Sequence, residues 1–183
     1  MGVDETLSRR AVFLDRDGVV NAAIVREGKP YPPRTPQELE VLPGVRDALL
    51  ELANAGFVLV VVTNQPDVAR GTQRREIVEA MHAKLEASLP LDAVYCCFHD
   101  DADACHCRKP APGLLLDAAG DLDLDLARSF IIGDRWRDTE AGAAAGCRTI
   151  FIDYGYAERQ PRLVDRRVTS VSEATRWILS LEP

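Results

Sequence analysis

Acidic and hydroxyl side chains follow three short apolar runs of the sequence. They are Asp15 and Asp17 after the first run, Thr63 after the second, and Asp134 and Asp138 after the third. If the runs are parallel strands, their carboxyl ends meet at one edge of a sheet, where open α/β folds bind ligands. Clustered carboxylates raise one another's pKa unless a hard cation lies among them, and oxygen ligands of this kind suit Mg²⁺. The spacing therefore predicts a magnesium site built from Asp15, Asp17 and Asp134.

Each of these motifs alone has a purely structural alternative. An Asp-x-Asp-Gly tetrapeptide is common in turns, and Gly133-Asp134 is compatible with the N-cap of a helix. Thr63-Asn64-Gln65 is compatible with another cap. Turn chemistry does not require all of them together, in this order, each after an apolar run. We therefore interpret them as one catalytic site.

Four of the five cysteines lie close together, with two histidines among them: Cys96, Cys97, His99, Cys105, His106 and Cys107. No secretory signal is evident in the opening residues, so this clustering favours a metal over disulfides. The spacing of a closed zinc site with three thiolates and one imidazole is met by Cys97, His99, Cys105 and Cys107. Four protein ligands leave no open position, so we expect structural zinc in a loop near residues 97–107. The spacing leaves Cys96 and His106 as alternative ligands, and free thiols as the alternative to a metal.

The composition is that of a folded domain. The 183 residues are 46% hydrophobic and 28% charged, and 22 Lys and Arg against 29 Asp and Glu give a formal net charge of −7. This negative charge repels nucleic-acid phosphates and anionic membranes, so we expect neither as a partner. The longest apolar run is far shorter than the roughly 20 residues that span a bilayer. We expect one domain over residues 1–183, a monomer, and a cytoplasmic location.

Short runs rich in Val and Ile alternate with segments of helical spacing, the pattern of βα units and a mainly parallel sheet. The predicted strands are residues 11–14, 57–62, 93–95, 129–132 and 149–153. The predicted helices are residues 45–55, 73–89 after an N-cap at Thr72, 113–119, 139–145, and 173–181 after an N-cap at Ser172. Residues 26–36 are too rich in Pro and Gly for a regular element, and we expect a surface loop or small flap. The fold class is therefore α/β, a Rossmann-like three-layer sandwich.

Four motifs taken together resemble the haloacid dehalogenase (HAD) superfamily of aspartyl phosphotransferases. They are Phe13-Leu-Asp-Arg-Asp-Gly18, Val62-Thr-Asn-Gln65, Cys107-Arg-Lys-Pro110 and Ile132-Gly-Asp134. More narrowly, the chain is similar to the subgroup without a large cap domain, which includes heptose bisphosphate phosphatases and histidinol-phosphate phosphatases. The resemblance implies a Mg²⁺-dependent phosphatase that acts through an aspartyl-phosphate intermediate.

The resemblance implies a role for each matching side chain. Asp15 would be the nucleophile that takes the phosphoryl group, and Asp17 the general acid that protonates the leaving alcohol and then activates water. Thr63 would bind phosphate oxygens, Lys109 would hold the nucleophile and the phosphate together, and Asp134 would complete the Mg²⁺ site. The physics agrees, because a carboxylate attacking a phosphate dianion meets like-charge repulsion that Mg²⁺ and a lysine must neutralise.

The resemblance also concerns the zinc loop and the substrate. Related phosphatases carry Cys-x-His and then Cys-x-Cys directly before Arg-Lys-Pro, which favours Cys97 over Cys96 as a ligand. The loop is expected to present Arg108 and Lys109 to the substrate, with Asn64 as a further contact. The expected substrate is a sugar bisphosphate, and loss of the C7 phosphate of D-glycero-D-manno-heptose 1,7-bisphosphate is favoured. The five-residue gap inside the zinc loop favours histidinol phosphate as the alternative.

Two other classes of protein share parts of this pattern. A phospho-Asp signalling domain also phosphorylates an Asp at a strand end, but it needs neither an acid two residues later nor a zinc-tethered lysine. An inactive binding module stabilised by zinc would not need both Asp15 and Asp17. Two further side chains have other expected roles. His82, in an amphipathic helix, is expected to be structural, and Arg70 is expected to bind a second phosphate or to be solvated.

Overall fold

A computed structural model describes residues 8–182 of the chain. Within that range the strands, in chain order, are β1 (Ala11–Leu14), β2 (Ile24–Arg26), β3 (Lys29–Tyr31), β4 (Val58–Asn64), β5 (Ala93–Cys97), β6 (Phe130–Gly133), β7 (Arg148–Ile152) and β8 (Arg166–Val168). β2 and β3 form an antiparallel hairpin. The other six strands form one sheet in the order β5-β4-β1-β6-β7-β8, and each neighbouring pair is parallel.

Helices cover both faces of this sheet. The α-helices within the described residues are α1 (Val45–Asn54), α2 (Arg75–Ser88), α3 (Gly113–Leu122), α4 (Trp136–Ala145) and α5 (Val171–Ser180). One-turn 3₁₀ helices cover Asp101–Asp103 and Leu126–Arg128. None of these helices is long and apolar enough to cross a membrane.

The sheet is the middle layer of three. α1, α2 and α5 contribute to one apolar core, and α3 and α4 to the core on the other face. In β1, Val12 and Leu14 belong to the first core, whereas Ala11 and Phe13 belong to the second. A central strand buried on both faces needs apolar residues at every position, which explains the unbroken apolar run. The predicted three-layer α/β fold is confirmed.

The centre of the sheet determines where the site must lie. Leu14 at the end of β1 pairs with Val61 on one side and with Ile132 on the other. The Asp15 amide then donates a hydrogen bond of 3.0 Å to the Ile132 carbonyl. In the sheet, β4 lies on one side of β1 and β6 lies on the other side. The connections after these strands therefore diverge, and a crevice opens beyond the strand ends.

Two predicted helix caps are wrong. α2 begins three residues after Thr72, whose hydroxyl instead donates to the Asp67 carbonyl at 3.3 Å and closes a turn. α5 is capped by Ser170 rather than Ser172, because Ser170 has the extended backbone that lets its Oγ accept from the Glu173 amide at 3.2 Å. Several Ser and Thr residues near a helix start satisfy the sequence pattern, and only backbone geometry selects the cap.

The prediction that residues 26–36 contain no regular element is also wrong, because β2 and β3 form a hairpin there. Glu27 and Gly28 both have positive φ, 50° and 73°, which fits the tight turn of a two-residue hairpin. Pro30 is tolerated because a two-stranded hairpin leaves each strand with a free edge. The Gly28 carbonyl accepts a 2.8 Å hydrogen bond from Ala157, which fixes the hairpin beside the site.

Two helical glycines provide a paired test of packing in the α3 and α4 layer. A Cβ on Gly142 would lie 2.1 Å from Ile131 Cγ2, whereas a Cβ on Gly120 would have no atom within 4 Å. We expect Gly142→Ala to lower the free energy of unfolding by about 1–3 kcal/mol through overpacking. Gly120→Ala should raise it by about 0.5–1 kcal/mol through helix propensity. Urea unfolding measures both, and equal effects would contradict the close approach of α4 to the sheet.

Candidate active site

The predicted catalytic and substrate-binding side chains line one cavity of about 320 Å³. Those that line it are Asp15, Asp17, Thr63, Asn64, Arg108 and Lys109. Asp15 and Asp17 follow β1, Thr63 and Asn64 end β4, and the other two come from the loop after β5. The hairpin contributes the opposite wall, including Tyr31. The topology thus brings together residues that are far apart in the sequence.

Lys109 occupies the floor of this cavity and is 2% exposed. Its Nζ donates to Asp15 Oδ1 at 2.8 Å and to the Val62 carbonyl at 2.7 Å, and lies 2.6 Å from Asp138 Oδ1. Burial acts to lower the pKa of Lys109, but the charges of Asp138 and Asp15 outweigh it and raise the pKa. Lys109 is therefore a buried ammonium that touches the predicted nucleophile.

Asp15, Asp134 and Asp138 form a cluster in which each offers an oxygen within 4.8 Å of the others. Burial, followed by the charges of Asp15 and Asp138, raises the pKa of Asp134 well above its usual value. Burial likewise raises the pKa of Asp15 to about 6, although Lys109 opposes the shift. Among residues 8–182, neither oxygen of Asp134 meets hydrogen-bond geometry with a partner, although the nearby Tyr156 hydroxyl acts to lower its pKa. Unpaired buried carboxylate oxygens beside other carboxylates are the donor set that a hard divalent cation requires.

Gly18 leaves room for the Asp134 carboxylate. It has φ +91°, and a Cβ there would lie 1.9 Å from Asp134 Oδ2. Both the left-handed backbone and the close approach require glycine. The Asp-x-Asp-Gly sequence therefore ends in glycine because the neighbouring strand places a carboxylate against it.

The Asp17 carboxylate is not part of this cluster. Its carboxylate accepts hydrogen bonds from Arg16, Asn21 and Gln65 at 2.9–3.1 Å. Burial acts to raise the pKa of Asp17, but the Arg16 charge and these hydrogen bonds lower it below its usual value. The sequence grouped Asp17 with Asp15 and Asp134 as metal ligands, whereas the structure places the Asp138 carboxylate with them instead.

Sequence reasoning assigned no role to Asp138 beyond its motif, and none to Arg16. The Asp138 carboxylate binds Lys109 through one oxygen and accepts from the Arg135 amide at 3.0 Å through the other. Arg16 is 0% exposed and contacts both Asp17 and His82. The signal in the sequence that could have indicated these roles was position: Arg16 lies between Asp15 and Asp17, and Asp138 follows Asp134. Arginine is so seldom fully buried that its residue type gave no hint of this role.

The zinc-ligand set predicted from the sequence comes together as four donors. The atoms are Cys97 Sγ, His99 Nδ1, Cys105 Sγ and Cys107 Sγ, and all lie within 4.8 Å of one another. Their contacts of 3.0–3.7 Å are close to the edges of about 3.5–3.8 Å in a tetrahedral Cys₃His zinc site. The alternative ligands lie elsewhere. His106 bonds to Asp117 at 3.0 Å, and Cys96 is outside the cluster.

Asn64 links this loop to the end of β4. Its amide nitrogen donates to the Lys109 carbonyl at 3.0 Å, and its amide oxygen accepts from the Lys109 backbone at 3.1 Å. A side chain with both hydrogen-bonding groups occupied by backbone is suited to holding Lys109 in place. Asn64 was also predicted to contact the substrate, and the observation that bears on this prediction is that Asn64 lines the cavity.

Several arginines surround the cavity, and each is paired with a carboxylate. Arg70 binds Asp100 through two hydrogen bonds of 2.8 and 2.6 Å. Arg108 and Arg137 share Asp101 at 2.8 and 3.3 Å. Arg135 binds Glu158 at 2.9 and 2.6 Å. The rim therefore carries cations whose charge is largely balanced within the protein.

Comparison with known proteins identifies the family. Residues 106–174 match the HAD-hydrolase-like family model. The D-glycero-beta-D-manno-heptose-1,7-bisphosphate 7-phosphatase of Bordetella bronchiseptica is 37% identical over 154 residues, which are 80% of this chain and 82% of that protein. The chain belongs to the HAD superfamily. The Escherichia coli (strain K12) protein of the same name is 39% identical over 151 residues, 76% of each chain.

A solved structure supports the same assignment. The D,D-heptose 1,7-bisphosphate phosphatase of B. bronchiseptica, in complex with magnesium and phosphate, superposes with a TM-score of 0.80 and 31% identity. The match covers 94% of this chain and 99% of that one. The chain is therefore a phosphatase, a hydrolase of phosphate esters, built without a large cap. Magnesium is typical of this superfamily, and the neighbour's magnesium supports the predicted Mg²⁺ requirement.

The crowded carboxylates predict a pH-dependent effect of Mg²⁺ on stability. The pKa of Asp15 and of Asp134 is raised on folding, so without metal they favour the folded state when protonated. This contribution is complete below the unfolded pKa of about 4 and is lost as the pH rises through the folded value. Mg²⁺ needs the ionised form, so its stabilisation, about 2.7 kcal/mol at 100 times Kd, should be larger at about pH 7.5 than at about pH 5.

Thermal unfolding with and without Mg²⁺ at the two pH values measures this effect. The control is Asp134→Asn, which removes one of the buried charges. Without metal, this variant should be more stable than the parent at about pH 7.5, and it should gain little from Mg²⁺. A Mg²⁺ increment that is equal in both proteins, or independent of pH, would contradict the assignment of this cluster as the cation site.

Proposed function

We propose that this phosphatase removes the C7 phosphate of D-glycero-β-D-manno-heptose 1,7-bisphosphate. The observation that carries the proposal is the 37–39% identity, over about three quarters of the chain, to enzymes named for that reaction. The cavity supports it, because Asp15 and Lys109 lie at the floor and arginines lie around the rim. A substrate with phosphates at both ends matches this distribution of charge.

In the first step an Asp15 oxygen attacks the phosphorus atom. The bond from phosphorus to the bridging oxygen breaks, and Asp17 gives a proton to that oxygen, which leaves as the alcohol. Lys109, 2.8 Å from Asp15, reduces the repulsion between the carboxylate and the incoming dianion. The negative charge of bound phosphate favours the protonated form of Asp17 at this stage. Thr63 contributes a hydroxyl to the phosphate oxygens.

In the second step Asp17 takes a proton from a water molecule, whose oxygen attacks the aspartyl phosphate and releases inorganic phosphate. Asp15 and Asp134 would hold Mg²⁺, with Asp138 beside them, and this ion would neutralise phosphate charge when bound. Asp138 also holds Lys109 in position at 2.6 Å. Asp17 remains a predicted ligand, for which the side-chain contacts with Arg16, Asn21 and Gln65 offer no support.

We infer a structural zinc ion at Cys97, His99, Cys105 and Cys107. The four donors leave no open position, and three thiolates with an imidazole are the ligands of closed zinc sites. Zinc at this site would fix the loop that ends in Arg108 and Lys109. The loop otherwise has few buried apolar side chains to pay for its ordering.

The enzyme is further proposed to act as a cytoplasmic monomer on a small soluble substrate. The net charge of −7 supports this, because it disfavours nucleic acid and anionic membranes. Sedimentation of the purified protein tests the oligomeric state. A stable dimer at micromolar concentration would contradict the proposal.

Competing substrates give a direct test of the reaction. Phosphate release is measured with Mg²⁺ from the α and β anomers of the heptose 1,7-bisphosphate and from histidinol phosphate, with Asp15→Asn as the blank. We expect kcat/KM for the β anomer to exceed that for histidinol phosphate by about 10²-fold or more, equivalent to ~2.7 kcal/mol of transition-state discrimination. A preference for histidinol phosphate would overturn the substrate. Turnover by Asp15→Asn near that of the parent would overturn the nucleophile.

The zinc proposal is tested with two neighbouring cysteines. Cys107→Ser removes one of the four donors, and Cys96→Ala, outside the cluster, is the matched control. Elemental analysis should find about one zinc per chain in the parent and in Cys96→Ala, and less in Cys107→Ser. Because Lys109 would lose its fixed position, kcat should fall by about 10²-fold together with the melting temperature. Full activity after complete removal of zinc would refute the role of zinc in holding the loop.

A further inference from the structure

A buried arginine connects the proposed general acid to a helix outside the cavity. Arg16 Nε donates to Asp17 Oδ1 at 3.1 Å, and Arg16 Nη2 donates to Asp17 Oδ2 at 3.0 Å. This two-point contact fixes the plane of the carboxylate as well as its position. Asn21 and Gln65 each add one hydrogen bond to it, at 3.0 and 2.9 Å. Asp17 lines the cavity, and Arg16 lies behind it with no exposed surface.

The third nitrogen of this guanidinium contacts His82. Arg16 Nη1 lies 3.2 Å from His82 Nε2, and His82 is 8% exposed on α2. A guanidinium can only donate, so Nε2 must be the acceptor and the ring must be neutral, with its proton on Nδ1. Burial, and then the charge of Arg16, lowers the pKa of His82 to about 4, which agrees with a neutral ring. The other buried side chains of α2 are apolar: Val78, Met81 and Leu85.

A fully buried arginine is stable only while its donors are satisfied. Leaving one of them without an acceptor costs the desolvation of a charged group, and the guanidinium moves to recover a partner. Because two of its nitrogens hold Asp17, such a movement would carry the carboxylate with it. The contact with His82 therefore acts on the orientation of Asp17 through Arg16, beside the direct hydrogen bonds from Asn21 and Gln65.

We propose that His82 is a positioning residue for proton transfer, which orients Asp17 by holding Arg16 in place. The inference rests on the proposed role of Asp17. As the bond from phosphorus to the bridging oxygen breaks, that oxygen receives the proton of Asp17 and leaves as an alcohol. The proton reaches this oxygen only if the carboxyl group points at it, and the contact between Arg16 and His82 keeps it pointed there.

Leaving-group chemistry separates this role from a merely structural one. A primary alkyl phosphate needs protonation of its leaving oxygen, whereas the nitrophenolate of p-nitrophenyl phosphate leaves without it. The heptose C7 ester and histidinol phosphate are both primary alkyl phosphates, so whichever the enzyme hydrolyses serves as the alkyl probe. The measured quantity is the ratio of kcat/KM for the alkyl probe to kcat/KM for p-nitrophenyl phosphate. kcat/KM reports the transfer to Asp15 and not the later hydrolysis of the intermediate.

The variants are His82→Leu and His82→Met, which remove the acceptor, and His82→Gln, whose amide oxygen replaces Nε2. In the two apolar variants we expect the ratio to fall by about tenfold or more, a part of the roughly 10²–10⁴-fold that general acid catalysis supplies. In His82→Gln the ratio should stay within about twofold of the parent, because the acceptor is restored. Asp17→Asn, measured beside them, should show the largest fall in the ratio.

The outcomes are distinct. If Asp17→Asn lowers kcat/KM equally for the alkyl probe and for p-nitrophenyl phosphate, the proposed acid role of Asp17 fails, and the inference fails with it. If Asp17→Asn lowers the ratio but the apolar variants lower kcat/KM equally for the two substrates, His82 is structural and only the inference fails. An unchanged ratio in the apolar variants also overturns it. If neither apolar variant folds while His82→Gln does, the contact contributes stability rather than acid positioning, and the inference is likewise overturned.

Discussion

The constraint on which the site depends is the burial of three carboxylates around one ammonium. Lys109 lies 2.8 Å from Asp15 and 2.6 Å from Asp138, and Asp134 lies in the same cluster. One positive charge cannot balance three buried negative charges. Protonation of a carboxylate relieves this repulsion, and a divalent cation bound at the cluster would balance the ionised form. Burial first, and then the charges of the neighbouring carboxylates, raise the pKa of Asp15 and of Asp134.

Lys109 must therefore be held by something stronger than its own ion pairs. It arrives on a loop whose residues 99–106 include no fully buried apolar side chain, so the hydrophobic effect cannot order it. Two other contacts do so. Asn64 binds both backbone groups of Lys109, and zinc at the four-donor cluster, as proposed above, would fix the loop a few residues earlier. The position of Lys109 would thus depend in part on a second set of metal-binding side chains nearby in the chain.

The sequence was sufficient wherever a signal was local. The apolar runs of β1 and β4 predicted central strands, and the donor spacing predicted the four residues that come together in the loop. It was insufficient where partners are distant in the chain. The spacing placed Asp138 at the same strand end as Asp134, but it did not predict that Asp138 contacts Lys109. Arg16 and His82 meet across 66 positions, and their contact exists only once α2 packs against β1 and β4.

The paired arginines of the rim explain how such a pocket can distinguish substrates. Arg108 is only 11% exposed at its side chain, whereas its partner Asp101 is 57% exposed. An exposed carboxylate gains little from its ion pair and is readily rehydrated, so a second phosphate can replace it at small cost. The guanidinium of Arg108, which is already desolvated, then keeps an anionic partner in either state. If the proposed bisphosphate binds with its second phosphate at Arg108, it would exchange one anion for another there, whereas a monophosphate would leave the Arg108–Asp101 pair intact.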